Sequence, residues 1–297
     1  MSEQINFRSG FVSIIGKPNV GKSTLMNAFL GEKLSITTPK PQTTRQNLLG
    51  ILSRDEYQIV FIDTPGFLKP RYLLQEKMQT SISEALKDAE VLLFIIDVET
   101  FPTDYDTQVS IILLKSKLPK LAVINKIDLA KNEKALKEAN ATLTDWGFEN
   151  IFFISAKKGI GIVELLEKIL LLLPVHPPYY PIDNISDRNM RFFAQEIIRE
   201  KIFLHLHQEI PYSTAVTVDM YEEEEDRAEV WANIFVESHS QKKIIIGKNG
   251  EMIKEIRLAA QRDIHYLTQK KIRLNLWIKI RKNWRKKERV LKEFGYK

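Results

Sequence analysis

Through the first 173 residues, short apolar runs rich in β-branched side chains alternate with stretches whose apolar positions recur every three or four residues. The runs at Phe11–Gly16, Tyr57–Asp63, Val91–Asp97, Leu121–Asn125 and Ile151–Ser155 predict core strands. Asn47–Arg54 predicts an edge strand paired with the second of them. Helical patterns fill the gaps and end with Val163–Leu173. Alternation of this kind predicts an α/β fold, a mostly parallel sheet with helices on both faces. Ligands of such sheets bind at the carboxyl ends of the strands.

The pattern changes at residues 174–181, PVHPPYYP, where four prolines in eight positions stop the last helix and favour an extended path. Beyond it, Arg188–Gln208 and Glu251–Leu267 have helical spacing, and Ser213–Tyr221 and Val230–Glu237 alternate like strands. Ile272, Leu274, Leu276, Ile278 and Ile280 alternate strictly, as in a strand with one buried face. The acidic run Glu222–Asp226 predicts a hairpin loop. Two domains are therefore expected, 1–174 and 183–297, joined by a proline-rich linker over 175–182.

Composition removes several alternatives. The 297 residues include no cysteine, which excludes disulfides and thiolate metal sites and points to a reducing compartment. No apolar stretch reaches membrane-spanning length, and the opening MSEQINFRSG lacks the pattern of a signal peptide. The five histidines show no zinc-ligand spacing. The net charge of +6 is uneven, because residues 240–297 carry 18 basic against 5 acidic side chains. A basic C-terminal block suits a polyanion, either nucleic acid or an anionic membrane surface, although a solvated charged face would look the same.

Gly16-Lys17-Pro18-Asn19-Val20-Gly21-Lys22-Ser23 fits the phosphate-loop pattern G-x-x-x-x-G-K-[ST], with a strand before it and a helix, beginning with Ser23 and Thr24, after it. In that setting backbone N–H groups and the helix N-terminus face phosphates. Lys22 would reach the β- and γ-phosphates, and the Ser23 hydroxyl would ligate Mg²⁺. Asp63-Thr64-Pro65-Gly66-Phe67 follows another core strand. Asp63 would hold Mg²⁺ through water, and the Gly66 N–H could contact the γ-phosphate. Between these motifs, Pro41-Gln42-Thr43-Thr44-Arg45 lies in a loop that γ-phosphate could order and hydrolysis release. Thr44 is the favoured threonine for the Mg²⁺ shell, with Thr43 the alternative.

Asn125-Lys126-Ile127-Asp128 identifies the base. The Asp128 carboxylate can accept from guanine's ring N–H and exocyclic amine, whereas opposite adenine a buried Asp128 would be left unsatisfied, a mismatch worth roughly 10⁴-fold. Lys126 would lie along the base and Asn125 would brace the loops. One strand–helix unit later, the backbone of Ser155-Ala156-Lys157 could hold the guanine carbonyl oxygen. The nucleotide is thus GTP or GDP, and the expected activity is Mg²⁺-dependent GTP hydrolysis.

Together these motifs resemble the translation-factor-like branch of small GTPases. Phe67 occupies the position where a water-positioning glutamine would be expected, and an apolar side chain cannot orient the attacking water. Asn19 and the PQTTR segment resemble GTPases that coordinate K⁺ beside the phosphates, with Asn19 as a ligand. A monovalent cation there would offset the charge developing between the β- and γ-phosphates. The expected catalytic set is Asn19, Lys22, Thr44, Asp63 and Gly66.

In the second half, Gly247-Lys248-Asn249-Gly250 is the G-x-x-G of a KH domain, with an apolar run before it and an amphipathic helix after it. Lys242, Lys243, Lys248, Lys254 and Arg257 surround it and could neutralise an RNA backbone. Two strands before the loop and one after give the order of an α+β, type II KH domain. Arg273, Trp277, Lys279 and Arg281 alternate with the buried positions of the last strand, so Trp277 could stack a base, or equally pack under the C-terminal helix. The tail Asn283–Lys297 could touch RNA or an anionic membrane, or be a solvated helix.

PNVGKST, SIT, PQTTR, DTPGF, NKID and SAK, followed by a proline-rich linker and a KH domain, resemble the Era family over nearly the whole chain. DRNMRFFAQEIIREK, EIPYS and the ending RVLKEFGYK add to the likeness. The resemblance implies a bacterial ribosome-assembly GTPase whose KH domain binds the 3′ end of small-subunit ribosomal RNA, a cytoplasmic monomer with peripheral contact to the inner membrane. In the expected mechanism GTP orders the switch loop, RNA binds at Gly247–Gly250, and hydrolysis releases the particle. Two alternatives stand beside it: an RNA-binding assembly protein with GTP as a near-static structural cofactor, and a membrane-associated GTPase.

Overall fold

A computed structural model describes residues 7–296. The expectations for the opening six residues and for Lys297 lie outside the described residues. The chain forms two compact units, one comprising residues 7–69 and 78–187, the other 70–77 and 188–296.

The elements of the first half run β1 (Arg8–Ile15), α1 (Lys22–Leu30), β2 (Leu48–Ser53), β3 (Tyr57–Asp63), α2 (Leu73–Asp88), β4 (Val91–Asp97), α3 (Asp104–Leu114), β5 (Lys120–Asn125), α4 (Glu133–Trp146), β6 (Ile151–Phe153) and α5 (Ile162–Leu172). The six strands form one sheet in the order β2-β3-β1-β4-β5-β6, parallel except for β2. All seven residues of β4 are buried, as a central strand covered on both faces requires. On one face Leu92, Phe94, Ala122 and Ile124 pack against Val109 and Leu113 of α3 and Leu143 of α4. On the other, α1 meets β2 and β3, and Phe29 stacks on Phe61 with ring centroids 4.5 Å apart.

The stretch expected as a linker, 175–182, is held against this unit, because its backbone finds partners there. Gln58 is fully buried; its side-chain oxygen accepts from Tyr179 N and Tyr180 N at 2.8 and 2.9 Å, and its nitrogen donates to Tyr180 O at 2.9 Å. Ser9 Oγ donates to Pro177 O at 2.7 Å, and Tyr179 packs edge-on against Phe11. Farther on, Ile51 N donates to Ile185 O at 2.9 Å, so the chain also covers the free edge of β2.

The second half contains α6 (Met190–His205), β7 (Ala215–Glu223), β8 (Arg227–Val236), α7 (His239–Ile246), α8 (Glu251–Thr268), β9 (Lys271–Ile280) and α9 (Glu288–Glu293). The sheet order is β7-β8-β9, with β7 antiparallel and β9 parallel to β8. Val230, Ala232, Ile234, Ile272 and Leu274 face a core shared with Ile198 and Ile202 of α6 and Ile256, Ala260 and Ile264 of α8. Glu222 and Glu223 end β7 rather than entering the hairpin loop. Lysines and isoleucines before the loop form a helix, α7, started by Ser238 Oγ accepting from Gln241 N. The C-terminal residues are anchored by Trp284, fully buried, whose indole N–H donates to Ser213 O at 2.8 Å. It packs against Phe294 and Tyr296.

Candidate nucleotide site and RNA surface

The carboxyl ends of β1, β3, β4 and β5 open into one cavity of about 710 Å³. Pro18, Asn19, Gly21, Lys22, Ser23 and Thr24 line one side, Thr43, Thr44 and Gly66 another, and Asn125, Lys126, Asp128, Ser155 and Lys157 a third. The phosphate-loop, switch and guanine motifs, scattered over 140 positions from Pro18 to Lys157, therefore meet in a single space. Gly16, Lys17, Val20, Asp63, Thr64, Pro65, Phe67 and Ala156 stand behind that lining. Thr64 Oγ1 donates to Ile14 O at 2.7 Å and ties the end of β3 to β1. Lys17 is turned away into an ion pair with buried Asp106 at 3.0 Å.

Lys22 is buried at the bottom of the cavity and donates to Gly16 O and Lys17 O at 3.1 and 2.9 Å. Burial lowers its pKa to about 8 despite the opposing pull of Asp63. Asp63 is fully buried, and burial raises its pKa against hydrogen bonds and the Lys22 charge. Its Oδ2 accepts from Ser23 Oγ at 2.7 Å, Ser35 Oγ at 2.8 Å and Thr44 Oγ1 at 3.3 Å. Its Oδ1 is buried without a hydrogen-bond partner. A buried, unpartnered carboxylate oxygen beside two hydroxyls is an arrangement of hard oxygen donors that fits Mg²⁺. Ser23 and Thr44 lie 3.0 Å apart, whereas Thr43 Oγ1 is occupied by Thr38 Oγ1 at 2.7 Å and Lys40 O at 2.9 Å. Of the two candidate threonines, Thr44 is the one brought to Ser23 and Asp63.

Gly66 crosses the phosphate loop so closely that a Cβ would fall 2.7 Å from Pro18 Cα and N. Only glycine fits there. The neighbouring Phe67 N–H donates to Gly16 O at 3.1 Å, and its ring packs against the core around α3 and β4. Asn19, at φ 65°, donates from Nδ2 to Pro39 O at 2.8 Å and links the phosphate loop to the switch loop.

At the base end, Asn125 Nδ2 donates to Val20 O at 2.7 Å and its Oδ1 accepts from Ala156 N at 3.0 Å, joining three loops. Ala156 N–H is thereby already engaged. Asp128 is exposed rather than buried, with Oδ1 accepting from Ser155 Oγ at 2.5 Å, so only a bound base would remove it from water. Lys126 Nζ pairs with Asp97 Oδ2 at 2.6 Å.

Asp97 and Asn27 escaped the motif reading, and Ser35, the first residue of SIT, was given no role there. Asp97 ends β4 in register with Asn125, a neighbourhood that follows from strand order and has no local sequence signal. Asn27 accepts from Leu34 N and Ser35 N at 3.0 and 2.8 Å and donates to Ser35 O at 2.8 Å, which aims Ser35 at Asp63. An isolated Asn–Ser pair eight residues apart carries no pattern.

In the second unit the G-x-x-G turn runs through Gly247 at φ 73°, Asn249 at 52° and Gly250 at 80°, a backbone path that L side chains resist. A Cβ on Gly247 would also meet Met252 Cβ at 2.6 Å. Lys242 and Lys243 stand on α7, Lys248 and Asn249 are exposed in the turn, and Lys254 and Arg257 lie on α8. These residues belong to the helical side of the sheet. Arg273 and Trp277 project from the opposite, open side of β9, as does Arg281 just past its end, and the set read as one RNA surface is thus split in two. Trp277 does not pack under the C-terminal helix; Trp284 takes that place. Arg281 is committed to Glu293 at 3.2 Å.

Among the described residues no cluster of three or more histidines and carboxylates could hold a metal, and no helix is long and apolar enough to cross a membrane.

Residues 11–126 match the model of the 50S ribosome-binding GTPase family, and residues 209–285 match that of the KH domain. The chain is 43% identical over 291 residues to GTPase Era of Geotalea uraniireducens, covering 98% of both chains. It is 44% identical over 292 residues to GTPase Era of Clostridium botulinum, covering 98% of this chain and 99% of the relative. A crystal structure of Era in complex with MgGDPNP and nucleotides 1506–1542 of 16S ribosomal RNA superposes with a TM-score of 0.94 at 35% identity, covering 98% of this chain and 99% of the other. Aquifex aeolicus Era bound to GDP and aluminium fluoride superposes equally well. With the phosphate-loop and guanine motifs gathered in one cavity and a KH fold following in sequence, this chain belongs to the Era family of GTPases.

Proposed function

We propose that this chain is a GTP-gated clamp on the 3′ end of small-subunit ribosomal RNA that assists assembly of the small ribosomal subunit. The observation that carries the proposal is the cavity in which Lys22, Ser23, Thr44 and the guanine-motif residues converge over Asp63, in a chain similar over its length to an Era that holds MgGDPNP and 16S ribosomal RNA. Residues 1–174 are assigned to GTP, 183–297 to RNA through the KH loop, and 175–182 to the connection.

Lys22 binds the β- and γ-phosphates, and the Gly66 N–H takes the γ-phosphate. Asn125, Lys126, Asp128 and the Ser155–Lys157 turn select guanine. Ser23, Thr44 and, through water, Asp63 hold Mg²⁺; when bound, the ion neutralises charge on the β- and γ-oxygens. Phe67 is packed in the core and leaves no side chain there to orient water, which supports a K⁺ ion held by Asn19 as the charge-offsetting element. Lys242, Lys243, Lys248, Lys254 and Arg257 neutralise the RNA backbone around Gly247–Gly250. Nucleotide and RNA affinities are coupled reciprocally, so RNA tightens GTP binding if GTP tightens RNA binding. The protein acts in the cytoplasm as a monomer. The exposed Lys286, Lys287 and Arg289 supply any peripheral membrane contact.

Phosphate release from GTP and from ATP, with RNA affinity measured in the GDP and GTP-analogue states, tests the reading. GTP-selective turnover and a nucleotide-dependent RNA affinity are expected. Equal competition by ATP, or equal RNA affinity in both states, refutes it. Turnover unchanged between K⁺ and Na⁺ buffers, or unaffected by Asn19→Ala, refutes the K⁺ part. Cosedimentation with anionic liposomes, competed by RNA, tests the membrane contact.

A further inference from the structure

The three-stranded sheet of the second unit has one face on α6 and α8 and one face open. Near one end of the open face Phe294 of the C-terminal segment covers Phe235, with ring centroids 4.5 Å apart. Past that cover, Trp231 of β8 and Trp277 of β9 lie side by side, centroids 5.6 Å apart and tilted by 56°. They are 40% and 46% exposed. Two adjacent half-exposed indoles on a rigid sheet form an apolar, π-faced surface that water covers poorly.

Its cations are gathered on one strand. β9 is an edge strand, and its open-face positions Lys271, Arg273 and Lys279 are cationic, with no acid among them. The Arg273 side chain is 77% exposed, with its Nε 3.5 Å from Glu229 Oε1, and Lys271 lies 3.9 Å from Asp226. Three carboxylates stand on this face: Glu222 is exposed opposite Glu229, and the other two are engaged within the sheet. Glu229 accepts from the Trp231 indole at 2.8 Å and from Asn275 at 2.9 Å, and Asp219 is bonded to Asn233 and Thr217. Glu229 thus also fixes the Trp231 ring. Aromatic faces bordered by outward cations match a single strand of nucleic acid, whose bases stack while its phosphates are neutralised. An apolar protein ridge would have no use for the cationic row.

A G-x-x-G loop clamps about four nucleotides. An RNA longer than that has to continue over another surface, and the edge strand β9 connects the helical side to the open side. We propose that the open face of this sheet is a second single-stranded RNA site, where bases stack on Trp231 and Trp277 while Arg273 and Lys279 hold the flanking phosphates. The inference rests on the RNA-binding reading above and adds a site that the KH loop does not contain.

The test uses the full chain and labelled RNAs from the 3′ end of small-subunit ribosomal RNA, one of about twelve nucleotides and one of about four, with anisotropy as the readout. Trp231→Ala and Trp277→Ala each weaken the longer RNA about tenfold or more and leave the shorter one unchanged. Trp277→Phe restores most of the loss, and matched thermal melts show that the variants remain folded. Lys248→Asp, in the loop, weakens both RNAs. If the tryptophan variants bind the longer RNA as tightly as the parent while Lys248→Asp does not, the second site is refuted and the RNA-binding reading stands. The same result is expected should the indoles serve a protein partner. If the parent binds neither RNA, both readings fall.

Discussion

Lys22 makes the nucleotide site a proton acceptor. In the free protein it is buried, bonded only to two backbone carbonyls, and its pKa lies near 8. A polyphosphate placed against it favours the charged form and lifts the pKa well above that value. Binding therefore takes up a proton wherever the free lysine is partly neutral. With a free pKa of about 8, uptake is about 0.1 proton at pH 7, about 0.5 at pH 8 and about 0.9 at pH 9. The sign follows directly: the nucleotide-bound state holds more protons, so affinity falls as pH rises above 8. The loss between pH 7 and pH 9 is about tenfold, or about 1.4 kcal/mol. Titration calorimetry of GDP in buffers of different ionisation enthalpy measures the uptake, first in EDTA. The titration is then repeated with Mg²⁺ present. Absence of proton uptake at pH 8 without metal would show that Lys22 is already charged in the free protein and would refute the reasoning.

Gly66→Ala forces a Cβ to within 2.7 Å of Pro18 and must move the phosphate loop, so kcat/KM for GTP should fall by about tenfold or more while the melting temperature changes little. Thr44→Ala should raise the Mg²⁺ concentration needed for half-maximal turnover several-fold, and Thr43→Ala should leave it nearly unchanged, because only Thr44 reaches Ser23 and Asp63. Asn125→Ala leaves a buried N–H and a buried carbonyl unpaired and should cost about 2–4 kcal/mol in urea denaturation. Trp284→Ala empties a fully buried site and strands Ser213 O, for about 3–5 kcal/mol.

The strands were legible because β4 and β5 are apolar between their terminal residues and β9 alternates except at Trp277. Their ends were less so. β1 begins at Arg8, and its first three residues, Arg-Ser-Gly, join the sheet through pairing with β3 rather than through any apolar signal. α7 was hidden because QKKIIIG ends in an apolar run of strand-like composition; the helix shows in its backbone bonds, Lys242 N to Ser238 O and Gly247 N to Lys243 O, and not in the isoleucine pattern. In the nucleotide site the motif residues could be read because they fall into short contiguous patterns. Ser35, Asn27 and Asp97 act through those residues, and only the folded register reveals which of the many serines, asparagines and aspartates stand behind them. Trp277 and Trp284 show the same limit. Both sit among cations near the C-terminus, and whether each indole is open or covered depends on where the last residues dock.

The three hydrogen bonds between Gln58 and the Tyr179–Tyr180 backbone have a practical corollary for dissecting the chain. A truncation at 174 would leave the fully buried Gln58 amide with Ser53 Oγ but without the Tyr179–Tyr180 backbone, and would uncover the ring of Phe11 and the rim of β2. Such a fragment should precipitate on expression, while one ending after Asp187 keeps its own seal and should stay in solution.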